Sequence, residues 1–218
     1  PAYTGSISVI LTEGNITLGL MQELVPNQGD AWKFLLEEVD RIFENLSYRK
    51  IKIDKLPEVE LFSRLRLNDI PHEIIDWAGL KIFLRIRTMA TRTAEMHIAL
   101  GSDIHETAFT PITYNSDYSV WLKNRLTYQF QNRLNILENN LHKLDGLALE
   151  LANQFLDQKK NIRKIFLDFD WTKMKSERIR IHGDYHLGQV LVNGEDFFIL
   201  DFEGEPESTI SDRKVKQP

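Results

Sequence analysis

RIRIHGDYHLGQVLVNGEDFFILDFEGEP, running from Arg178 to Pro206, carries both strand patterning and a dense run of chemically active side chains. Ile179 and Ile181 alternate with arginines, which predicts a short strand ending at His182. A polar loop follows from Gly183 to Gln189. Val190 to Val192, then Asn193-Gly194, then Phe197 to Leu200 give the apolar, turn, apolar pattern of a tight hairpin. Its Asn-Gly pair tolerates positive φ. Asp201 follows directly.

Antiparallel strands lie about 4.8 Å apart, so the start of the first strand sits beside the end of the second. Gln189 and Asp201 are therefore expected to face each other, and Asp184, in the loop that leads into the hairpin, can complete a cluster of two carboxylates and an amide oxygen. Oxygen ligands of this type suit magnesium, which keeps its remaining positions for water or phosphate. His182, His186, Glu203 and Glu205 crowd the same flanks, more polar chemistry than a turn requires.

Phosphoryl transfer by protein kinases uses an aspartate base, an amide metal ligand five residues on, and a second metal-binding aspartate in Asp-Phe-Gly. His182-Gly183-Asp184 through Gln189, then Asp201-Phe202-Glu203, keeps that order and spacing, with Gln189 and Glu203 standing where Asn and Gly are usual. Those two departures, with HGDYHLGQVL and LDFEGEP, closely resemble the maltokinases of the aminoglycoside-phosphotransferase-like branch of the kinase fold. LGLMQELVPNQGDAW (Leu18 to Trp32) and RTAEMHIAL (Arg92 to Leu100) resemble that family too.

The resemblance implies an α/β (α+β) protein-kinase-like fold, with residues 1–25 as a hairpin remnant of the small lobe and 26–218 as a mostly helical large lobe truncated at its C-terminus. It implies ATP and Mg²⁺ as cofactors and maltose, phosphorylated at its anomeric hydroxyl, as substrate. A trehalose synthase, fused or associated, is the partner that accompanies such kinases. Asp184 is then the base, His182 and His186 organise the loop or touch phosphate, and Gln189, Asp201 and Glu203 serve the metal. Glu23, Leu24 and Val25 become the hinge that meets adenine, with Asp30 just beyond. Physics alone marks Val25 to Gly29 only as a turn.

Elsewhere the chain alternates strand and helix signals. Ile7 to Leu11 and Ile16 to Leu24 predict a hairpin around Thr12 to Asn15. Asp30 is a suitable N-cap for a helix whose Trp32, Leu35, Leu36, Val39, Ile42, Phe43 and Leu46 recur at three and four. Lys50 to Lys55 reads as a strand or linker, Glu58 to Leu67 as a short helix, and Pro71 as the opening of another. Leu80 to Leu100 predicts a central helix stopped by Gly101, with Glu95 and His97 as ordinary core or surface groups on it. Thr107 to Asn115 reads as a loop, and Ser116 or Asp117 as the cap of a long helix. Leu134 to Phe155 resembles a coiled-coil seam, but Gly146 interrupts it and favours a helical hairpin. Asn161 to Phe169 predicts a further helix, followed by a loop at Trp171 to Glu177.

With 218 residues the chain can bury a sizeable core. A net charge of −5 and a pI near 5.7 argue against a general nucleic-acid or anionic-membrane binder. The absence of cysteine excludes disulfides and thiolate metal sites and suits a cytoplasmic setting. The loop motif alone specifies only a small-molecule kinase, so three other functions fit parts of the pattern: a phosphotransferase of the aminoglycoside or choline kinase type, a zinc hydrolase using His182, Asp184 and His186, and a helical module with the kinase shape but no chemistry. The first lysine is Lys33, inside the predicted helix, and Gly5, Gly14 and Gly19 are scattered singly, so no glycine-rich phosphate loop or small-lobe lysine is legible. The chain taken alone is accordingly expected to be catalytically silent.

Overall fold

The computed structural model describes residues 1–12, 14–51, 66–103 and 105–218. Two compact units emerge, one from 1–100 with 181–215, the other from 101–180 with 216–218. Most of the Lys50 to Lys55 stretch and nearly all of the expected Glu58 to Leu67 helix lie outside the described residues. Leu67 itself opens a 3-10 turn, Leu67–Asp69.

In the first unit, β1 (Tyr3–Leu11) and β2 (Gly14–Gln22) form the expected antiparallel hairpin. An extended segment leads from it to α1 (Ala31–Tyr48). Asp30, in extended conformation, caps α1 by accepting the Lys33 N–H at 2.9 Å, which satisfies one of the helix's otherwise unpaired amides. α2 (His72–Ala78) starts one residue later than expected, with Pro71 as its N-cap. Next is α3 (Leu80–Leu100), as its periodicity predicts. After the second unit the chain returns with β5 (Val190–Asn193), β6 (Asp196–Ile199) and the short α7 (Ile210–Arg213).

β5 and β6 pair in the predicted register, Val190 opposite Ile199 and Asn193 opposite Asp196. The turn differs from the expectation in one respect. Asn193 belongs to the strand, so the two loop residues are Gly194 and Glu195, and only Gly194 has positive φ, at 61°. A glycine in the first loop position with an ordinary second residue is the II′ pattern, whereas an Asn-Gly loop would require positive φ twice.

This hairpin is the heart of the unit. Ala31, Val190, Val192 and Phe197 form its fully buried cluster, with Phe34, Met89, Leu187 and Ile199 packed around them. The alternate residues of each strand thus point at α1 and α3, as a period of two demands. Residues 27–30 run beside β5: Gln28 N–H donates to Val192 O at 2.8 Å, Val192 N–H to Gly29 O at 3.0 Å, and Asp30 bridges Leu191.

The second unit is built on α4 (Ser116–Asn140), α5 (Gly146–Asp157) and α6 (Lys159–Asp168). α4 is capped by Asn115, whose side chain accepts the Tyr118 N–H at 2.9 Å, rather than by Ser116 or Asp117. The leucine seam breaks at the 3-10 turn Leu141–Lys143, and Phe130 meets Phe155 and Phe166 with ring centroids 6.5 and 5.6 Å apart. A helical hairpin is therefore the outcome, not a continuous coil.

The expected strand ending at His182 is found earlier and shorter. β3 (Ile112–Thr113), inside the stretch read as a loop, pairs with β4 (Glu177–Arg178), and Ile179 bridges Gln217. Beyond Ile179 the backbone leaves strand geometry on its way to Gly183, whose φ is 89°. Among the described residues no helix is long and apolar enough to cross a membrane.

Candidate functional site

The loop between Ile181 and β5 is organised from within by His182. Only 2% exposed, its ring sits between Tyr185 and Phe202, with centroids at 5.5 and 4.8 Å. Its Nε2 lies 2.7 Å from the Leu200 carbonyl, and its Nδ1 accepts the Asp184 N–H at 3.3 Å. A carbonyl can only accept, so Nε2 carries the proton. Both ring nitrogens are engaged by the backbone, which leaves the zinc alternative without one of its three ligands.

Asp184 is half-buried and comes directly after Gly183. A Cβ added to Gly183 would lie 2.9 Å from the Gly204 Cα, so the loop before Asp184 and the segment after Asp201 touch backbone to backbone. His186 caps the 3-10 turn Leu187–Gln189 by accepting the Gly188 N–H at 3.0 Å, and its Nε2 stands 3.9 Å from Asp184 Oδ2.

Gln189 and Asp201 meet across the mouth of the hairpin. Leu200 N–H donates to Gln189 O, and the Gln189 amide Nε2 donates to Asp201 Oδ2, both at 2.9 Å. Asp201 has a φ of 60°, a conformation few residues other than glycine adopt, although aspartate tolerates it better than most. Glu203 is exposed, and its carbonyl accepts from Arg213 at 3.3 Å. Arg213 also donates to the carbonyls of Ser208 and Pro206, at 3.0 and 2.9 Å, and so ties down the chain beyond Asp201.

For a magnesium ion the donor types are suitable: the exposed Asp201 carboxylate, and the Gln189 amide once it turns to present its oxygen in place of the Nε2 that now bonds Asp201 Oδ2. Among the described residues no three His, Cys, Asp or Glu side chains converge as a metal-binding group, so the oxygen set is Asp201 with the Gln189 amide. A cavity of about 550 Å³ in the same unit is lined by Leu67, Ile70, Phe83, Ile86 and two arginines, and by none of these carboxylates.

At the segment expected to meet adenine, Glu23 N–H donates to Ala2 O at 2.9 Å, and the carbonyl of the buried Val25 accepts from the Asn27 side chain at 2.9 Å. Leu24 is 91% exposed. Asp30 is engaged as the α1 cap described above.

Sequence reading missed the contacts that fasten this site to α3. Arg92 grips Asp196 with two bonds, Nε to Oδ1 at 2.7 Å and Nη2 to Oδ2 at 2.8 Å, while Nη1 reaches Glu95 at 2.6 Å. The hydrogen bonds from Arg92, ahead of the Phe197 N–H and the Arg92 charge, hold the Asp196 carboxyl below the usual range, and the same bonds raise the arginine. Thr93 meets the Tyr185 hydroxyl at 2.6 Å. These pairs are separated by roughly a hundred residues, so no local pattern announces them. The only signal is an Arg-Thr pair on an otherwise apolar stripe.

No protein-family model matches the chain. Solved structures do. A glucosamine kinase in complex with glucosamine, ADP and inorganic phosphate aligns over 100% of this chain and 43% of its own, at 20% identity and a TM-score of 0.62. Two further crystal forms of glucosamine kinase align over 100% of this chain and 40% and 41% of theirs, each at 18% identity and a TM-score of 0.59. The chain therefore spans less than half the length of these kinases, and what it shares with them is the kinase-like fold.

Proposed function

We propose that this sequence belongs to an ATP-dependent sugar kinase that phosphorylates maltose to maltose 1-phosphate. The observation that carries the reading is the Gln189–Asp201 pair at the mouth of the β5–β6 hairpin, with Asp184 on the loop that enters the same hairpin. That is the order and spacing of base, amide ligand and metal aspartate in kinases. The kinase-like fold and the ADP named with a structural neighbour support it.

In this reading Asp184 accepts the proton of the attacking hydroxyl, held in place by the Gly183 turn and the His182 ring. Asp201 and Gln189 hold magnesium, with Glu203 alongside, and bound magnesium supplies charge neutralisation to the nucleotide phosphates. His186, beside Asp184, keeps the loop's second half wound. The segment Glu23 to Val25, with the exposed Leu24 at its centre, and Asp30 beyond it serve the nucleotide. Residues 1–25 then belong to a small lobe and 26–218 to a large one.

The phosphate clamp of such kinases has no counterpart before Lys33, so turnover is assigned to the natural full-length polypeptide, and the 218 residues alone are silent. A cytoplasmic setting provides the ATP, and a fused or associated trehalose synthase would supply the maltose. The test is ATP consumption by the full-length protein across maltose, glucosamine and other sugars. Magnesium-dependent phosphorylation of maltose in preference to the rest is expected, and Asp184→Asn lowers turnover about 10²–10⁴-fold. Preference for glucosamine would replace the acceptor. No turnover with any sugar would overturn the function.

A further inference from the structure

We infer that Tyr185 and Thr93 form a latch that positions the Asp184 loop against α3, and that the Tyr185 hydroxyl is a positioning group for phosphoryl transfer. The inference rests on the sugar-kinase reading above.

The geometry gives the latch a direction. Thr93 Oγ1 lies 2.9 Å from the Met89 carbonyl, which can only accept, so the single threonine proton goes there. The 2.6 Å contact with Tyr185 is then donated by the tyrosine, into a threonine oxygen already fixed by its own helix. Thr93 thus offers a lone pair at a set position, one residue along α3 from the Arg92 fork that grips Asp196 at the start of β6. Consecutive residues of one helix hold both ends of the catalytic element: Arg92 the start of β6, Thr93 the loop that enters the hairpin.

Tyr185 follows Asp184 directly, so tying its hydroxyl to α3 restrains the backbone that carries the aspartate. The same ring packs on His182. That contact has no direction about the ring axis, whereas the hydroxyl bond does. Loss of the hydroxyl therefore leaves the loop folded but free to rotate, and placement errors of about 1 Å cost on the order of a hundred-fold in rate.

Three variants separate this from a merely structural role. Tyr185→Phe keeps the ring and removes the donor. Thr93→Val keeps the volume and removes the acceptor. Thr93→Ser keeps the acceptor. In the full-length protein Tyr185→Phe and Thr93→Val should each lower kcat about ten- to hundred-fold at unchanged KM for ATP. Their combination should be no worse than either alone, and Thr93→Ser should retain most of the activity.

A second readout needs no catalysis. In the 218-residue chain, amide exchange at residues 184–189 should rise about five-fold or more in Tyr185→Phe and Thr93→Val, and stay at the wild-type rate in Thr93→Ser. Wild-type exchange and wild-type kcat in Tyr185→Phe would overturn the latch. An inactive wild type whose exchange still follows the pattern would refute the kinase reading and keep the latch as a loop anchor.

Discussion

Gly183→Ala should be the most damaging alanine substitution at any glycine of the first unit, and Gly194→Ala shows why. Both glycines sit at positive φ, 89° and 61°, so a side chain at either pays the left-handed penalty of about 1 kcal/mol. They differ in their neighbours. Among the described residues nothing lies within 4 Å of a Cβ at Gly194, while at Gly183 that atom meets the Gly204 Cα at 2.9 Å. Backbone cannot swing aside as a flexible side chain does, so the two segments must part, at a further cost of about 2 kcal/mol. The expected losses are about 1 kcal/mol at Gly194 and about 3 kcal/mol at Gly183. Tryptophans occur in both units, so bulk fluorescence would mix their unfolding. Amide exchange of peptides from 181–204, with peptides from α4 as an internal control, isolates the first unit. Losses within about 0.5 kcal/mol of each other would refute the reasoning, because the close approach would then contribute nothing.

The remaining expectations concern charge, burial and the nucleotide. The depressed Asp196 carboxyl contributes stability that is present above its unfolded value near 4 and is lost as pH falls through the lower folded value; a carboxyl NMR titration should show this, and Arg92→Met should raise the Asp196 value toward the ordinary carboxylate range. Among the described residues the buried Tyr118 hydroxyl has no hydrogen-bond partner, and its ring lies under Arg178, 4.1 Å away, so Tyr118→Phe should stabilise the second unit by about 1 kcal/mol. Burial raises the Tyr118 phenol, chiefly by desolvation, so in an alkaline absorbance titration it should ionise after an exposed tyrosine. Asp201→Asn should weaken magnesium-dependent ATP binding by the full-length protein while leaving binding without magnesium unchanged, measured by calorimetry.

Local rules made much of this legible. Period two gave the β5–β6 hairpin its inward residues, Val190, Val192 and Phe197, and antiparallel geometry alone brought Gln189 to Asp201. Asp30 as the α1 cap follows from a side chain that can reach the Lys33 amide. Misplaced boundaries have equally local causes. Asn115 takes the cap in place of Ser116: its Oδ1 accepts the Tyr118 amide, while the Ser116 carbonyl accepts from the Ser119 hydroxyl. The strand foreseen at Ile179 to His182 was cut short because its partner, β3, has only two residues to pair with β4.

What stayed illegible is who covers what. On α1 the residues turned inward are Ala31, Phe34, Leu35, Ile42 and Leu46, while Trp32, Leu36, Val39 and Phe43 remain exposed, Phe43 by 63%. The heptad-like spacing joins both sets into one broad apolar arc, and a helix alone cannot say which part of such an arc meets the hairpin. That choice is made by β5: Val190 and Val192 lie two positions apart and face one way, and the Asp30–Leu191 bridge fixes where α1 begins beside them. Rotation of α1 is therefore set from outside the helix, by a strand some 160 residues further on. The same holds for Tyr185 and Thr93, whose meeting depends on α3 lying along β6 in one register. A pattern within an element tells which groups are able to pack or bond; the pairing between elements tells which of them do, and here it is the pairing that places the loop bearing Asp184.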